Sequence, residues 1–304
     1  MNIARTYQSV NQVRKLLRTE RRTGSSFDLP ARRRLWRFHA FDPAADPTPL
    51  TDGGIELEHR TGSETMRPTE EPIDWLDDAL SDGDRLVLKW FSGGGGNNVH
   101  FLERVDGEYR FDGELTSESD LVETLAGLEN YLVCEFIEQA DYADELFPDT
   151  ANTLRVLTMY DERAGEAFIP IAIHRIGTGD SVPVDNFSNG GLSAEIDPET
   201  GALSAGAEYP HDGVVDWHES HPETGARIEG TAIPGWEQTR DRLLEIAETL
   251  SHVPYVGWDL VVTDDGEFQI IEANSYPGVA SLQVHRPLLA DGRTRRFYRD
   301  HGVI

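Results

Sequence analysis

Residues 257–274 read GWDLVVTDDGEFQIIEAN and bring two carboxylates and a carboxamide into reach of one another. A two-residue turn at Asp265-Gly266 would pair Asp264 with Glu267 and, counting outward, Asp259 with Glu272 on one face of a β-ribbon. Asn274, two residues beyond Glu272, shares that face. Carboxylates ~5 Å apart repel by roughly 3 kcal/mol at an effective dielectric of about 20, so the pair calls for a shared proton or a cation. Two carboxylates and an amide oxygen are hard ligands, suited to a partly hydrated magnesium ion that also touches phosphates. The rival reading is an ordinary exposed hairpin in a very acidic chain. Apolar neighbours (Trp258, Val261, Val262, Ile270 and Ile271) favour a site.

A second stretch, residues 85–103, reads RLVLKWFSGGGGNNVHFLE. Four glycines, Gly93, Gly94, Gly95 and Gly96, let a backbone close over phosphates with its N–H groups exposed. No Gly-Lys-Ser/Thr follows, and the next element reads as a strand, which excludes a Walker loop and a dinucleotide turn. What remains is a glycine-rich hairpin over a nucleotide, served by Lys89 from the preceding strand. A glycine run alone is more often a flexible loop, so its meaning here depends on Lys89 and the carboxylates.

Composition sharpens the interest of Lys89. The 304-residue chain carries a formal charge of −28, and 25 of its 27 basic residues are arginine, Lys15 and Lys89 being the exceptions. Acids scattered along the whole chain, with lysine nearly absent, read as adaptation to concentrated salt, where the Debye length falls to ~3 Å. Nucleic acid is not an expected partner of so acidic a protein. The first 37 residues run the other way, with a net +8, and Val10, Val13, Leu16 and Leu17 mark a basic amphipathic helix. Such a helix could make peripheral contact with a membrane surface, but packing on its own acidic body is the simpler expectation. The longest apolar run, Tyr131–Ile137, is too short to span a bilayer, and Met1–Gln12 does not read as a secretory signal. Cys134 is the only cysteine, so an internal disulfide is excluded and a reducing cytoplasm is expected. His211, His218 and His221, among Asp212, Asp216 and Glu219, match no defensible zinc spacing. His100 and His174 read as packed or hydrogen-bonded rather than catalytic, and the six tryptophans chiefly as packing residues.

These residues need elements to hold them. Alternation and turn chemistry mark strands at Arg85–Phe91, Val99–Val105, Glu108–Phe111, Tyr131–Ile137, Thr153–Tyr160, Ala167–Ile176, Gly257–Thr263 and Glu267–Ala273. Helices are expected at Ile73–Leu80, Ser119–Leu128 and Gly235–His252, with irregular stretches at Phe41–Thr69 and Gly177–Glu223. Strands and helices mix without a βαβ rhythm, which argues for an α+β fold.

Lys89 with its glycine loop, the strand YLVCEFIEQ, the segment NTLRVLT and the closing D…ExN set together resemble the ATP-grasp superfamily. The stretches NTLRVLT (152–158), VDNFSNGGLSAEID (184–197), HPETG (221–225), IPGW (233–236) and VGWDLVVTDDGEFQIIEAN (256–274) are similar to the sugar-transfer-associated ATP-grasp family, which itself resembles α-L-glutamate ligases. The resemblance implies two α+β lobes with ATP between antiparallel sheets: a small lobe over 73–140 and a large lobe over 141–304, preceded by a basic segment over 1–72. It implies that Lys89 contacts the α- and β-phosphates beneath a Gly93–Gly96 lid, that Glu135 and Ile137 offer backbone groups to adenine, and that Glu138 meets the ribose. Arg155 would reach a phosphate, while Asp259, Glu272 and Asn274 would hold one or two Mg2+ ions. Asn186 and the Gly190-Gly191 loop would sit near the transferred phosphoryl group or the substrate, with Arg175 stabilising charge during attack.

The implied activity is ATP- and Mg-dependent carboxylate–amine ligation through an acylphosphate, on a sugar, amino-acid or peptide substrate in glycan or cell-surface biosynthesis. Alternatives are an ATP-grasp kinase acting on a hydroxyl or phosphate, and a non-catalytic nucleotide-binding partner of a glycan-assembly enzyme. The chain departs from the superfamily at Trp90, where proline often follows the lysine. It also lacks a second nucleotide lysine, for which Arg67 and Arg85 are the alternatives, and its amino-terminal lobe is short.

Overall fold

The computed structural model describes residues 64–65, 80–81, 83–90, 98–128, 131–264, 266–275 and 277–304. The basic helix expected near the amino terminus, Arg67, most of the helix expected over Ile73–Leu80, and the Gly93–Gly96 loop lie outside the described residues.

The first sheet comprises β1 (Glu64–Thr65), β2 (Arg85–Trp90), β3 (Val99–Val105), β4 (Glu108–Phe111), β5 (Glu114–Thr116) and β6 (Tyr131–Glu135), with α1 (Glu118–Ala126) between the last two. Its order is β1-β6-β2-β3-β4-β5, with every pair antiparallel. Asp106-Gly107 makes the expected hairpin turn, both residues having positive φ (53° and 78°), as a type I′ turn requires. Asp112-Gly113 repeats the device, with φ of 51° and 79°, and adds β5, which is too short to show alternation in the sequence. Ser117 caps α1 by accepting a hydrogen bond from the Asp120 N–H at 3.2 Å. Alternation turns Leu86, Leu88, Leu102, Tyr109 and Val133 toward Leu121 and Leu125 of the helix. The opposite face of the sheet carries half-buried Val87, Lys89, Phe101 and Cys134.

The second unit contains α2 (Asp141–Leu146), β7 (Leu154–Asp161), β8 (Glu166–Ile176), β9 (Leu192–Glu195), β10 (Gly206–Ala207), β11 (Trp217–His218), α3 (Trp236–Thr249), β12 (Tyr255–Val262), β13 (Phe268–Asn274), α4 (Ala280–Gln283) and α5 (Gly292–Asp300). Its sheet runs β11-β10-β9-β8-β7-β12-β13 and is again antiparallel throughout. Leu154, Val156, Val256, Trp258 and Leu260 face Trp236 and Leu243 of α3. On the other face Leu157, Met159, Ile171, Ile173 and Tyr255 are covered by Leu282, Leu288 and Phe297. The α+β expectation holds. The strands β9, β10 and β11 interrupt the stretch expected to be irregular, and the helices after residue 279 have no counterpart in the sequence reading.

After β6 the chain crosses from one sheet to the other and is fastened to the β12–β13 hairpin. The Ala140 N–H donates to Val262 O at 2.8 Å, and the Asp141 N–H donates to the Asp264 carboxylate at 2.8 Å. Among the described residues no helix is long and apolar enough to cross a membrane.

His174 is fully buried, with its Nδ1–H on Arg175 O at 2.9 Å and its Nε2 accepting from the Tyr142 hydroxyl at 3.1 Å. This network assigns the neutral Nδ1–H tautomer. Burial, opposed by the backbone hydrogen bond and reinforced by the Arg175 charge, pulls its pKa down to about 4. The unfolded chain, with an ordinary histidine near 6.5, therefore binds more protons than the folded one between those values. Stability is complete above about pH 6.5 and declines as pH falls toward 4. Urea midpoints at constant salt should drop across that window, and His174→Asn should show a shallower decline from a lower starting value.

Candidate functional site

The site is built on a hairpin that differs from the simplest expectation at two places. Val262 pairs with Phe268, and the Thr263 N–H donates to Glu267 O at 3.0 Å. Three residues, not two, therefore form the turn, closed by Gly266 N–H on Thr263 O and by Gly266 at φ 77°. Continued without interruption, that register would set Asp259 opposite Ile271. A β-bulge between Asp259 and Leu260 absorbs the extra residue, so that Leu260 pairs with Ile270 while Asp259 pairs with Glu272. The expected two-residue turn is thus corrected, yet the Asp259–Glu272 pairing stands because turn and bulge compensate.

Asp259 lies on β12, all eight residues of which are buried, and its own exposure is 4%. A carboxylate there must be neutralised. The residue opposite it on β7 is Arg155, itself only 9% exposed. Arg155 grips Asp259 as a fork, Nε on Oδ1 and Nη2 on Oδ2 at 2.8 Å. Arg175 of β8 approaches Asp259 Oδ1 with Nη2 at 3.4 Å and Asp185 with Nε at 3.5 Å. Thr153 joins them: its Oγ1 accepts from Arg175 Nε at 2.9 Å, and its N–H donates to Asp185 at 2.7 Å. Burial alone would lower the Arg175 pKa, but the charges of Asp185, Asp259 and Glu272 outweigh it and hold the guanidinium above its ordinary value. Three carboxylates around two guanidiniums leave one negative charge over.

That arrangement revises one step of the sequence argument. The counter-charge for the carboxylate pair is already present as arginine, so the pair does not by itself demand a metal ion. The oxygen ligands still suit a hard cation. Glu272 is exposed and Asn274 half-buried on the edge strand, with Asn274 paired to Gly257. Asp259, however, offers both of its oxygens to Arg155. A Cβ on Gly257 would lie 2.3 Å from Pro277 Cβ and 3.6 Å from Arg155 Cδ, so glycine is what lets the returning chain and the arginine stem close over the strand.

The other sequence-derived residues divide between the two sheets. Lys89 sits on the first sheet beside Cys134, whose thiol burial pushes up against the opposing pull of the Lys89 charge. Glu135 ends β6, and Ile137 and Glu138 lie in the link toward α2, so all three occupy the junction between sheets. Arg85, one alternative for the missing lysine, is engaged with Glu103 at 3.0 Å and stacked over Phe136. Asn186 turns its side-chain oxygen to Ser188, accepting from its N–H at 3.0 Å and its hydroxyl at 2.9 Å. The group that the same loop delivers to Arg175 is the preceding residue, Asp185. Gly191 permits that fold, since a Cβ there would lie 2.8 Å from Asp185 O.

Asp185 and Thr153 escaped sequence reasoning. They stand 32 positions apart and share no periodicity, and the local signal was their place within NTLRVLT and VDNFSNGGLSAEID, Thr153 two residues before Arg155 and Asp185 next to Asn186. The histidines of residues 211–221 do not converge. His218 bonds Glu208 at 2.7 Å, while His221 is buried with Nε2 on Gly177 O at 2.8 Å. Among the described residues no three or more His, Cys, Asp or Glu side chains gather to hold a metal ion. Trp236 and Trp258 are packed as expected, but Trp90 and Trp217 are 40% and 48% exposed.

The sequence profile described as sugar-transfer associated ATP-grasp matches residues 53–295, and the chain belongs to that family. No curated protein matches it. Among solved structures it is similar to N5-carboxyaminoimidazole ribonucleotide synthetase (purK) in an ADP complex, at 15% identity and a TM-score of 0.37, over 68% of this chain and 38% of that one. It is also similar to the ATP-grasp ligase PsnB complexed with a phosphomimetic variant of a minimal precursor, Mg and ADP, at 12% identity and a TM-score of 0.34, over 79% of this chain and 52% of that one. A third is a Chryseobacterium gregarium RiPP-associated ATP-grasp ligase in complex with ADP and a leader and core peptide, at 13% identity and a TM-score of 0.28, over 72% of this chain and 46% of that one. The chain therefore spans about half or less of the length of these proteins.

Removing Asp185 strips the Thr153 N–H and hydroxyl of their acceptor and leaves Arg175 short of a partner. Asp185→Ala should cost about 3 kcal/mol in urea unfolding at fixed salt, and Asp185→Asn, which keeps an acceptor, less.

Proposed function

We propose that the protein is an ATP- and Mg-dependent ligase that joins a carboxylate to an amine through an acylphosphate. The observation that carries this reading is the convergence of Asp259, Glu272, Arg155 and Arg175 on one face of the second sheet, in a chain of the ATP-grasp family. In this reading the boundaries 1–72, 73–140 and 141–304 separate the basic segment, the small lobe and the large lobe. Lys89 binds the α- and β-phosphates, and the glycines Gly93–Gly96 close above them. The backbone of Glu135 and Ile137 meets the adenine edge, and Glu138 meets the ribose, an assignment supported by their position in the link between the sheets.

Magnesium, when bound by Asp259, Glu272 and Asn274, would neutralise the phosphates and orient the γ-phosphoryl group. Arg175 is held from behind by Thr153 and Asp185 and so presents a fixed positive charge to the oxygens that gain charge during attack. Arg155 supplies a second, forked donor to phosphate oxygens. The backbone around Asn186 and Gly190-Gly191 borders the position of the substrate carboxylate. No side-chain nucleophile is required, since positioning and charge neutralisation carry the chemistry. Sugar, amino-acid or peptide substrates in surface or glycan assembly fit this reaction class. The acidic surface is read as salt adaptation of a cytoplasmic protein.

Glu272→Gln keeps the shape of an exposed side chain and deletes its charge. ATP turnover should fall on the order of 100-fold or more while the unfolding midpoint stays within error. Undiminished ADP release, assayed with a panel of amine and carboxylate pairs in high salt, would remove the basis of the assignment.

A further inference from the structure

The two arginines hold Asp259 in unequal ways. Arg175 is fastened on the side away from it, by Thr153 Oγ1 at 2.9 Å and Asp185 at 3.5 Å, and its contact to Asp259 at 3.4 Å is only one of several. Arg155 has Asp259 as its sole hydrogen-bonding or ion-pair partner among the described residues, and it occupies both carboxylate oxygens. The pair is closed to water, with side-chain exposures of 11% and 5%. A divalent cation bonded to either oxygen would therefore sit within a few ångströms of a guanidinium, in surroundings that screen their repulsion poorly. One of the two positive charges has to leave. Arg175 is retained by Asp185, whereas Arg155 has no other hydrogen-bonding or ion-pair partner among the described residues once Asp259 is taken from it.

We infer that Arg155 is the resident counter-cation of the metal seat, and that a divalent cation reaches Asp259 only by exchange with it, as Arg155 passes to the phosphate of an incoming nucleotide. This inference rests on the reading of Asp259, Glu272 and Asn274 as the metal ligands. It assigns Arg155 a task distinct from phosphate contact. Asp259 is kept from free divalent ions, so metal and nucleotide enter together. A phosphate must draw the guanidinium away before the carboxylate opens, which makes the loaded state conditional on the nucleotide. The surplus negative charge of the cluster is then met by the cation that arrives, and Arg155 exchanges one bidentate anion for another.

The test is calorimetric titration of Mg2+ alone, and separately of MgATP, into the full chain at fixed monovalent salt, with thermal unfolding as a parallel readout. The native protein should bind MgATP but show no saturable uptake of Mg2+ alone and no thermal shift from it. Arg155→Met should acquire Mg2+ binding without nucleotide, at least tenfold tighter than in the native chain, together with a Mg2+-dependent rise in Tm. Asp259→Asn in the same background should abolish both. Arg155→Lys, which loses the fork but keeps a charge, should fall between them and serves if the methionine variant does not fold. If MgATP binds the native chain while free Mg2+ binds native and variant proteins equally, the exchange is refuted and the ligand assignment survives. If neither MgATP nor Mg2+ binds any of them, both fall together.

Discussion

A single acid in the middle of a buried strand sets the terms for the second sheet. Asp259 occupies a position where its neighbours along β12 are Trp258 and Leu260, and where water cannot solvate its charge. The strand next to it answers in register with Arg155, and β8 adds Arg175. Those guanidiniums bring their own requirement for anions, met by the same Asp259 and by Asp185 from a loop that folds back onto the sheet. Thr153 closes the circuit with both its backbone and its hydroxyl. A buried ionic group of this kind adds little net stability over an apolar core of the same shape, while loss of one member leaves another charge stranded. The group spans β8, β7 and β12 of the seven-stranded sheet.

Among the described residues the two faces of the second sheet are covered by different segments. Trp236 and Leu243 of α3 cover the back of the sheet, whereas the carboxy-terminal segment covers only part of the front, over Leu157, Ile173 and Tyr255. Ser193, the cross-strand neighbour of Arg175, is pinned by that segment through Ser281 O and His285, each at 2.9 Å. Burial pulls His285 down to about 4, so it stands there as a neutral ring and adds no third positive charge beside the arginines. The crossing from the first sheet is tied to the hairpin at Val262 and Asp264, so the strand that bears Asp259 also anchors the link to the sheet that bears Lys89.

Much of this could be read from residue order, and the limits are instructive. Strong local signals carried through: Asp106-Gly107 as a turn, the inward alternation of β2, the amphipathic α3 and the D…ExN ribbon all formed where their chemistry required. The family followed from several ordered motifs together, each of them weak alone. What stayed hidden was non-local. Asp185 meets Thr153 only through a loop closure that depends on Gly191 packing against the Asp185 carbonyl. The fork from Arg155 to Asp259 spans 104 positions and is set by strand order, which periodicity does not encode. Short strands such as β5 and β10 lack the length to display alternation, and α4, with four residues, is held by its contacts rather than by its own propensity.

The compensation within the β12–β13 ribbon also constrains how such a chain can vary. An odd-numbered connection and a single irregularity three rungs away act as a matched couple, one displacing the ladder and the other restoring it. Either change alone would rotate Glu272 out of line with Asp259. A relative with a tip one residue shorter must therefore run straight through the position of Ile271, and loop length there should covary with the kink rather than drift freely, as surface connections usually do.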